Sequence, residues 1–160
     1  MMWKNFLGAF MALTLLVGCS KDNTDANAGG AGGAGGAGTA TPGSQEDLVQ
    51  NVGDRVFYAL DSSTLSSEAR ATLDKQAAWL AQYPQNRVQL AGNCDERGTT
   101  EYNLALGQRR ADTVGRQLTG QGVSTKRIST VSYGEERPAV VGHDESAWSK
   151  NRRAEVHASE

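Results

Sequence analysis

Gly92-Asn93-Cys94-Asp95-Glu96-Arg97-Gly98-Thr99-Thr100-Glu101-Tyr102-Asn103-Leu104-Ala105-Leu106-Gly107-Gln108-Arg109-Arg110-Ala111 reads as a turn that delivers the chain into a helix. It sets an acid, Asp95, at the mouth of the turn and Arg110 along the helix. If the helix starts near Thr100, Asn103, Leu106, Arg110 and Thr113 share one stripe, while Leu104, Gly107, Ala111, Val114 and Leu118 share the stripe that faces a core. Arg110 is therefore expected beside the core without belonging to it. An acid and a guanidinium placed this way suit a zwitterionic ligand. Its ammonium would meet Asp95 and its carboxylate the fork of Arg110, each charge-assisted bond contributing about 1.5–3 kcal/mol. An ordinary surface ion pair uses the same residue types and contributes little, so the surroundings decide between the two.

Working outward, the flanking sequence alternates strand and helix. Val56 to Leu60 reads as a short strand, with Asp61-Ser62-Ser63-Thr64 as a loop behind it. A helix starts with Ser66 or Ser67 as N-cap, repeats Ala69, Leu73, Ala77 and Leu80 at helical spacing, and must end before Pro84. Arg87 to Ala91 alternates, with Val88 and Leu90 on one face, and is the strand that leads to Asp95. The helix from Thr100 to about Leu118 stops at Gly120-Gln121-Gly122. Ile128 to Tyr133 and Arg153 to Ala158 are the last two strands, with a short helix near Ser146 to Lys150 between them. The order β-α-β-α-β-(α)-β predicts an α+β domain with helices on one side of a mixed four-stranded sheet.

The N-terminus belongs to a different class of sequence. Lys4 precedes an apolar run from Phe6 to Leu16, and Leu16-Val17-Gly18-Cys19 follows. This resembles a bacterial lipoprotein signal over residues 1–18, with cleavage before Cys19, lipid on its thiol and acylation of its new amine. The run is shorter than the ~20 residues that a spanning helix needs. Several acyl chains on Cys19 would give a stable anchor where one would be marginal. Ser20, rather than Asp, after Cys19 points to sorting to the outer membrane. Residues 19–46 then collapse to Gly, Ala, Thr, Asn and Ser and read as a tether, on the order of 30 Å long as a coil and roughly 90 Å if straightened. Gly30 to Gly35 meets a dinucleotide-binding glycine pattern only by accident, since no strand precedes it and no helix follows. Residues 47–160 have the length of one domain.

Composition narrows the function. The chain carries a net charge of −2 with no basic field, so a nucleic-acid partner is not expected. Of two cysteines, lipidation of Cys19 leaves Cys94 alone, which removes an intramolecular disulfide. Cys94 with His143 lacks a recognisable oxyanion site for nucleophilic catalysis. Asp95 and Glu96, adjacent on one turn, cannot easily face each other across a glycosidic bond. His143 and His157 are too isolated to suggest a metal. No catalytic residue and no cofactor beyond the lipid is expected.

Gly92 to Thr99, Glu101 to Ala111, Val131-Ser132-Tyr133-Gly134 and Asn151-Arg152-Arg153-Ala154 together resemble the OmpA-like C-terminal domain family over nearly all of the folded segment. That resemblance implies noncovalent binding of peptidoglycan through uncrosslinked stem peptides, with the side-chain end of diaminopimelate as the epitope. By the same resemblance Asp95 takes the head group, Arg110 takes the carboxylate, Asn103 orders the loop, Asp61 lines the groove and Thr99 adds a hydroxyl. Many relatives carry His where this chain has Asn93, and another acid where it has Ala59, so the site's pH response should lack an imidazole contribution. The implied partners are the cell wall, the outer membrane through the lipid, and TolB with the Tol complex in outer-membrane constriction at division. A wall-anchoring lipoprotein that ignores Tol proteins is the alternative, and a peptidoglycan hydrolase the remaining one.

Overall fold

Four strands and the helices between them follow in the expected order in the computed structural model, which describes residues 40–159. The signal peptide expected over 1–18, the lipidation site Cys19 and most of the tether lie outside the described residues. Strands β1 (Arg55–Phe57), β2 (Arg87–Asn93), β3 (Ile128–Gly134) and β4 (Arg153–Ser159) form one sheet in the order β1-β4-β2-β3. β4 runs antiparallel to both β1 and β2, and β2 runs parallel to β3, so the sheet is mixed and the fold is α+β as expected.

Alternation along the strands gives the sheet one apolar face. Val56, Val88, Leu90, Ala154 and Val156 are buried there against α2 (Ser67–Gln82) and α3 (Thr100–Gly120), together with Leu73, Leu80, Ala111, Val114 and Leu118 from the helices. Ser66 caps α2 by accepting from the Ala69 N–H, and the chain leaves the helix at Tyr83, immediately before Pro84. Ser124 caps a single 3-10 turn, Thr125–Arg127, that leads into β3. A shorter helix, α4 (Glu145–Asn151), starts at the Asp144 cap and ends where β4 begins.

β1 is shorter than the apolar pattern predicts. Tyr58 still donates its N–H to the Arg152 carbonyl, but the chain then turns through Asp61, which has φ 54°. Within α3 the buried stripe is rotated from the expected one, burying Asn103, Leu106 and Arg110 and leaving Leu104 exposed. The cause is a close approach of helix and strand: a Cβ on Gly92 would lie 1.8 Å from the Gly107 carbonyl oxygen. Only two facing glycines allow it, and the approach turns the 103–107–110 side of α3 onto the sheet.

Residues 43–46, assigned to the tether on composition, are bonded to the domain. Ser44 caps a short helix, α1 (Gln45–Asp47), continued by a π-helical segment, Leu48–Val52. Gln45 donates to the Val156 carbonyl and accepts from the Ala158 N–H, adding a side-chain rung beside β4. Asp47 accepts from the Gly43 N–H at 2.9 Å and from the Trp79 indole at 2.8 Å. A polar, glycine-containing stretch can thus be ordered by hydrogen bonds that composition does not reveal.

Candidate functional site

At the Asn93 end of β2 the strand, the loop after β1 and the start of α3 enclose a cavity of about 250 Å³. Asp61, Asp95, Asn103 and Arg110 all line it, joined by Arg97, Arg152 and Tyr102. Four of the five peptidoglycan-binding residues expected from the resemblance therefore meet in one cleft. Thr99 is placed differently: its hydroxyl accepts from the Tyr102 N–H and caps α3.

Arg110 is more deeply placed than the helical pattern predicts, with 0% of the residue exposed. Its Nε donates to the Ser62 carbonyl at 2.8 Å, and its terminal nitrogens donate to the carbonyls of Asn93 (2.8 Å) and Ala59 (3.3 Å) and to the Cys94 sulfur. All these partners are neutral, and none of the salt bridges among the described residues includes Arg110. Burial presses its affinity for the proton downward. A guanidinium nevertheless keeps its charge in proteins, so the cleft contains a fixed cation with no carboxylate bound to it. An anionic ligand group would supply that counter-charge.

Asp95 is the reverse case. Its carboxylate is almost fully buried and already holds two arginines: Arg97 at 2.6 Å and Arg152 at 3.2 Å. Burial raises its proton affinity, but the side-chain and backbone bonds from Arg97 and the bond from Arg152 outweigh that and hold the carboxyl below its ordinary range. Asp95, placed by the sequence at the mouth of the turn, thus lies inside an ionic network that extends to Glu145, which pairs with Arg152. Arg152 lies within the Asn151–Ala154 motif, which by itself assigns it no role. Its signal is an arginine immediately before a strand paired with the strand that leads to Asp95.

The loop is fixed from below by Asn103, whose amide donates to the carbonyls of Arg97 and Asp95 and to Glu135. Tyr102 donates its hydroxyl to Asp61 and so joins the loop after β1 to α3. Cys94 is buried, and burial pushes its thiol pKa up, opposite to what a nucleophile requires. His143 pairs with Glu96 at 2.7 Å rather than with Cys94. Among the described residues no group of three or more His, Cys, Asp or Glu is placed to hold a metal, and no helix is long and apolar enough to cross a membrane.

Residues 57–152 match the model of the OmpA family. The peptidoglycan-associated lipoprotein of Brucella melitensis is 51% identical over 148 residues, which cover 92% of this chain and 87% of the relative. That of Haemophilus influenzae is 48% identical over 143 residues, 89% of this chain and 90% of the relative. The crystal structure of the peptidoglycan-associated lipoprotein from Burkholderia pseudomallei superposes with a TM-score of 0.65 at 42% identity, covering 66% of this chain and 90% of that one. The C-terminal domain of Helicobacter pylori MotB, at 21% identity and a TM-score of 0.61 over 67% of this chain and 84% of that one, shares the fold.

Proposed function

This chain belongs to the OmpA family, alongside the peptidoglycan-associated lipoproteins, and from that premise we propose that it is a lipoprotein whose domain grips uncrosslinked peptidoglycan stems through the Asn93-end cleft. It is a binding protein and not an enzyme. The observation that carries the assignment is the cleft's pairing of Arg110, a buried cation bonded only to neutral groups, with Asp95, an acid held by two arginines of which Arg97 is partly exposed. The carboxylate of the diaminopimelate side chain would complete Arg110, and the ammonium on the same carbon would meet Asp95. Asp61 and Asn103 shape the walls, and Thr99 acts through the α3 cap. Lipid on Cys19 holds the outer membrane, residues 20–39 give reach, and many copies facing a repetitive polymer gain avidity from modest single contacts.

Pull-down with isolated sacculi tests the site. Asp95→Ala should release the folded domain, and Arg110→Lys, which keeps a cation but loses the fork, should weaken binding with less structural damage than Arg110→Ala. Unchanged retention of both Asp95→Ala and Arg110→Lys would refute the assignment. Walls with amidated diaminopimelate should bind more weakly, since the group facing Arg110 loses its charge. We further assign the chain to the Tol complex, with TolB as periplasmic partner and outer-membrane constriction as the process served. Direct binding between this domain and TolB separates that role from wall anchoring alone.

A further inference from the structure

We propose that Arg97 is a built-in occupant of the ammonium subsite: in the free domain its guanidinium closes Asp95, and a ligand's ammonium must displace it toward Glu145. This inference rests on the wall-binding reading of the cleft and adds a gate to it. Both Asp95 oxygens are engaged, Oδ1 by the Arg97 N–H and Nε, and Oδ2 by an Arg97 terminal nitrogen at 2.6 Å and by Arg152 at 3.2 Å. With the acid's side chain only 5% exposed, no second cation can reach it while the Arg97 guanidinium stays.

The two arginines are not equivalent. Arg152 is buried and also tied to the Tyr58 carbonyl and to Glu145, so it cannot leave without breaking the β1–β4 end of the sheet. The Arg97 side chain is 33% exposed and has two other places to rest. Its guanidinium lies 4.1 Å above the Trp148 ring, and Glu145, an exposed carboxylate, is 3.8 Å away. Sliding across the indole toward Glu145 exchanges one carboxylate for another while keeping the stacking. The backbone need not move. The Arg97 N–H stays bonded to Asp95 and its carbonyl to the Asn103 amide, so only the side chain swings.

Such a gate favours a particular ligand chemistry. A neutral or purely anionic group cannot replace the charge that Arg97 provides at Asp95, whereas a primary ammonium can. Arg97 therefore raises the threshold for any ligand lacking a free amine and lowers the affinity of one that has it. A direct ligand contact by Arg97 predicts the opposite sign for its removal.

The experiment titrates the synthetic tripeptide L-Ala-γ-D-Glu-meso-diaminopimelate into the full-length protein and into Arg97→Ala, following heat and Trp148 fluorescence. The expected result is binding about three- to fivefold tighter in Arg97→Ala, the effect of removing one partly exposed competing ion pair. Binding to the unsubstituted protein should change the Trp148 emission as the guanidinium moves over the ring, with the signal confirmed by its loss in Trp148→Phe. Arg97→Ala should bind without that change. Equal or weaker affinity in Arg97→Ala overturns the gate while leaving the wall-binding reading intact. Absence of binding to either protein sinks the wall-binding reading itself, and binding only to Arg97→Ala supports the gate in its strongest form.

Discussion

At the Arg87 end of β2, Asp47 and Arg127 are held by neutral partners: Asp47 accepts from Gly43, Asn51 and Trp79, and Arg127 donates to the carbonyls of Leu80, Tyr83 and Asn86. At the Asn93 end, Asp95 is held by two arginines and Arg152 by two acids. The Gly43 N–H and the Trp79 indole belong to the backbone and to the core, and cannot leave without unfolding. Ionic partners on long side chains can be exchanged for a ligand's charges. The two ends therefore differ in how they hold a carboxylate, Asp47 in a closed joint of neutral donors and Asp95 in an ionic network from which Arg97 can be exchanged; Arg110 is bonded to carbonyls as Arg127 is, but lines the cleft. Near the start of the described residues, at the closed end, Asn86 donates to the Gly43 carbonyl, and β2 puts about 20 Å between that joint and the cleft. The arrangement suits a domain that is held at one pole and grips at the other.

The largest effect should come from the contact that shapes the open end. Gly92→Ala places a methyl group against the Gly107 carbonyl, so α3 must lift from β2, at a cost of about 3 kcal/mol in stability. Chemical denaturation measures the cost, and a loss under about 1 kcal/mol would mean that helix and strand are not locked together at this point. Next in size, Asp47→Ala strands the Trp79 indole and the Gly43 N–H, costing about 2 kcal/mol. Retention of the still-folded protein by sacculi should be unchanged. Asp95→Ala should differ in losing retention, at a cost in stability comparable to that of Asp47→Ala because the buried Arg152 keeps only Glu145. If the two variants behave alike, the distinction between joint and site is wrong.

Most of this frame was legible in the sequence because periodicity and capping are local signals. Ser66, Pro84 and the alternation of Val88 and Leu90 mark their elements without tertiary help. That Asp95, Asn103 and Asp61 line one cleft was implied by the family resemblance and not by spacing, since Asp61 lies on a separate loop. The burial of Arg110 did not follow, because an arginine on a helix is ordinarily read as solvent-facing, and the carbonyls that receive it come from the loop after β1 and from the end of β2. Nor did the Arg97–Asp95–Arg152 network, whose members are joined by strand pairing and by a guanidinium stacked on Trp148. The ordered strap before Asp47 was hidden by its composition.

A smaller effect separates the open face of the sheet from both ends. Glu155 lies on that face with His157 at 3.5 Å, Arg153 at 2.8 Å and Arg55 at 3.7 Å. His157 and then Arg153, against the opposing effect of burial, draw its carboxyl down to about 2. The Arg153 bond is the sturdier of the two because it does not depend on a protonated ring. A depressed carboxyl contributes stability above its unfolded value and loses it as pH falls through the folded one. The domain should therefore lose about 1–2 kcal/mol between roughly pH 4.5 and 2, with solvent screening included. Glu155→Gln should flatten the acid limb of a stability-versus-pH curve, and an unchanged limb would show that other carboxylates govern it.

The smallest effect lies beside the cleft and runs the other way. Glu96 accepts from His143 and from the Trp148 indole, and its bond and charge raise the imidazole above its ordinary value. A raised histidine contributes below its unfolded pKa, and the contribution is lost as pH rises through the folded one. His143→Ala should accordingly lower the melting temperature slightly at pH 5.5 and leave it unchanged at pH 9. Trp148 keeps its own bond to Glu96 when His143 deprotonates, so the surface on which Arg97 stacks stays in place. No imidazole lines the cleft, and Asn93 does not titrate. Retention on sacculi should therefore stay flat from pH 6 to 8 while the small His143 contribution to stability declines as pH rises. A binding curve that tracked the His143 titration would mean that the rim and the cleft are one coupled unit.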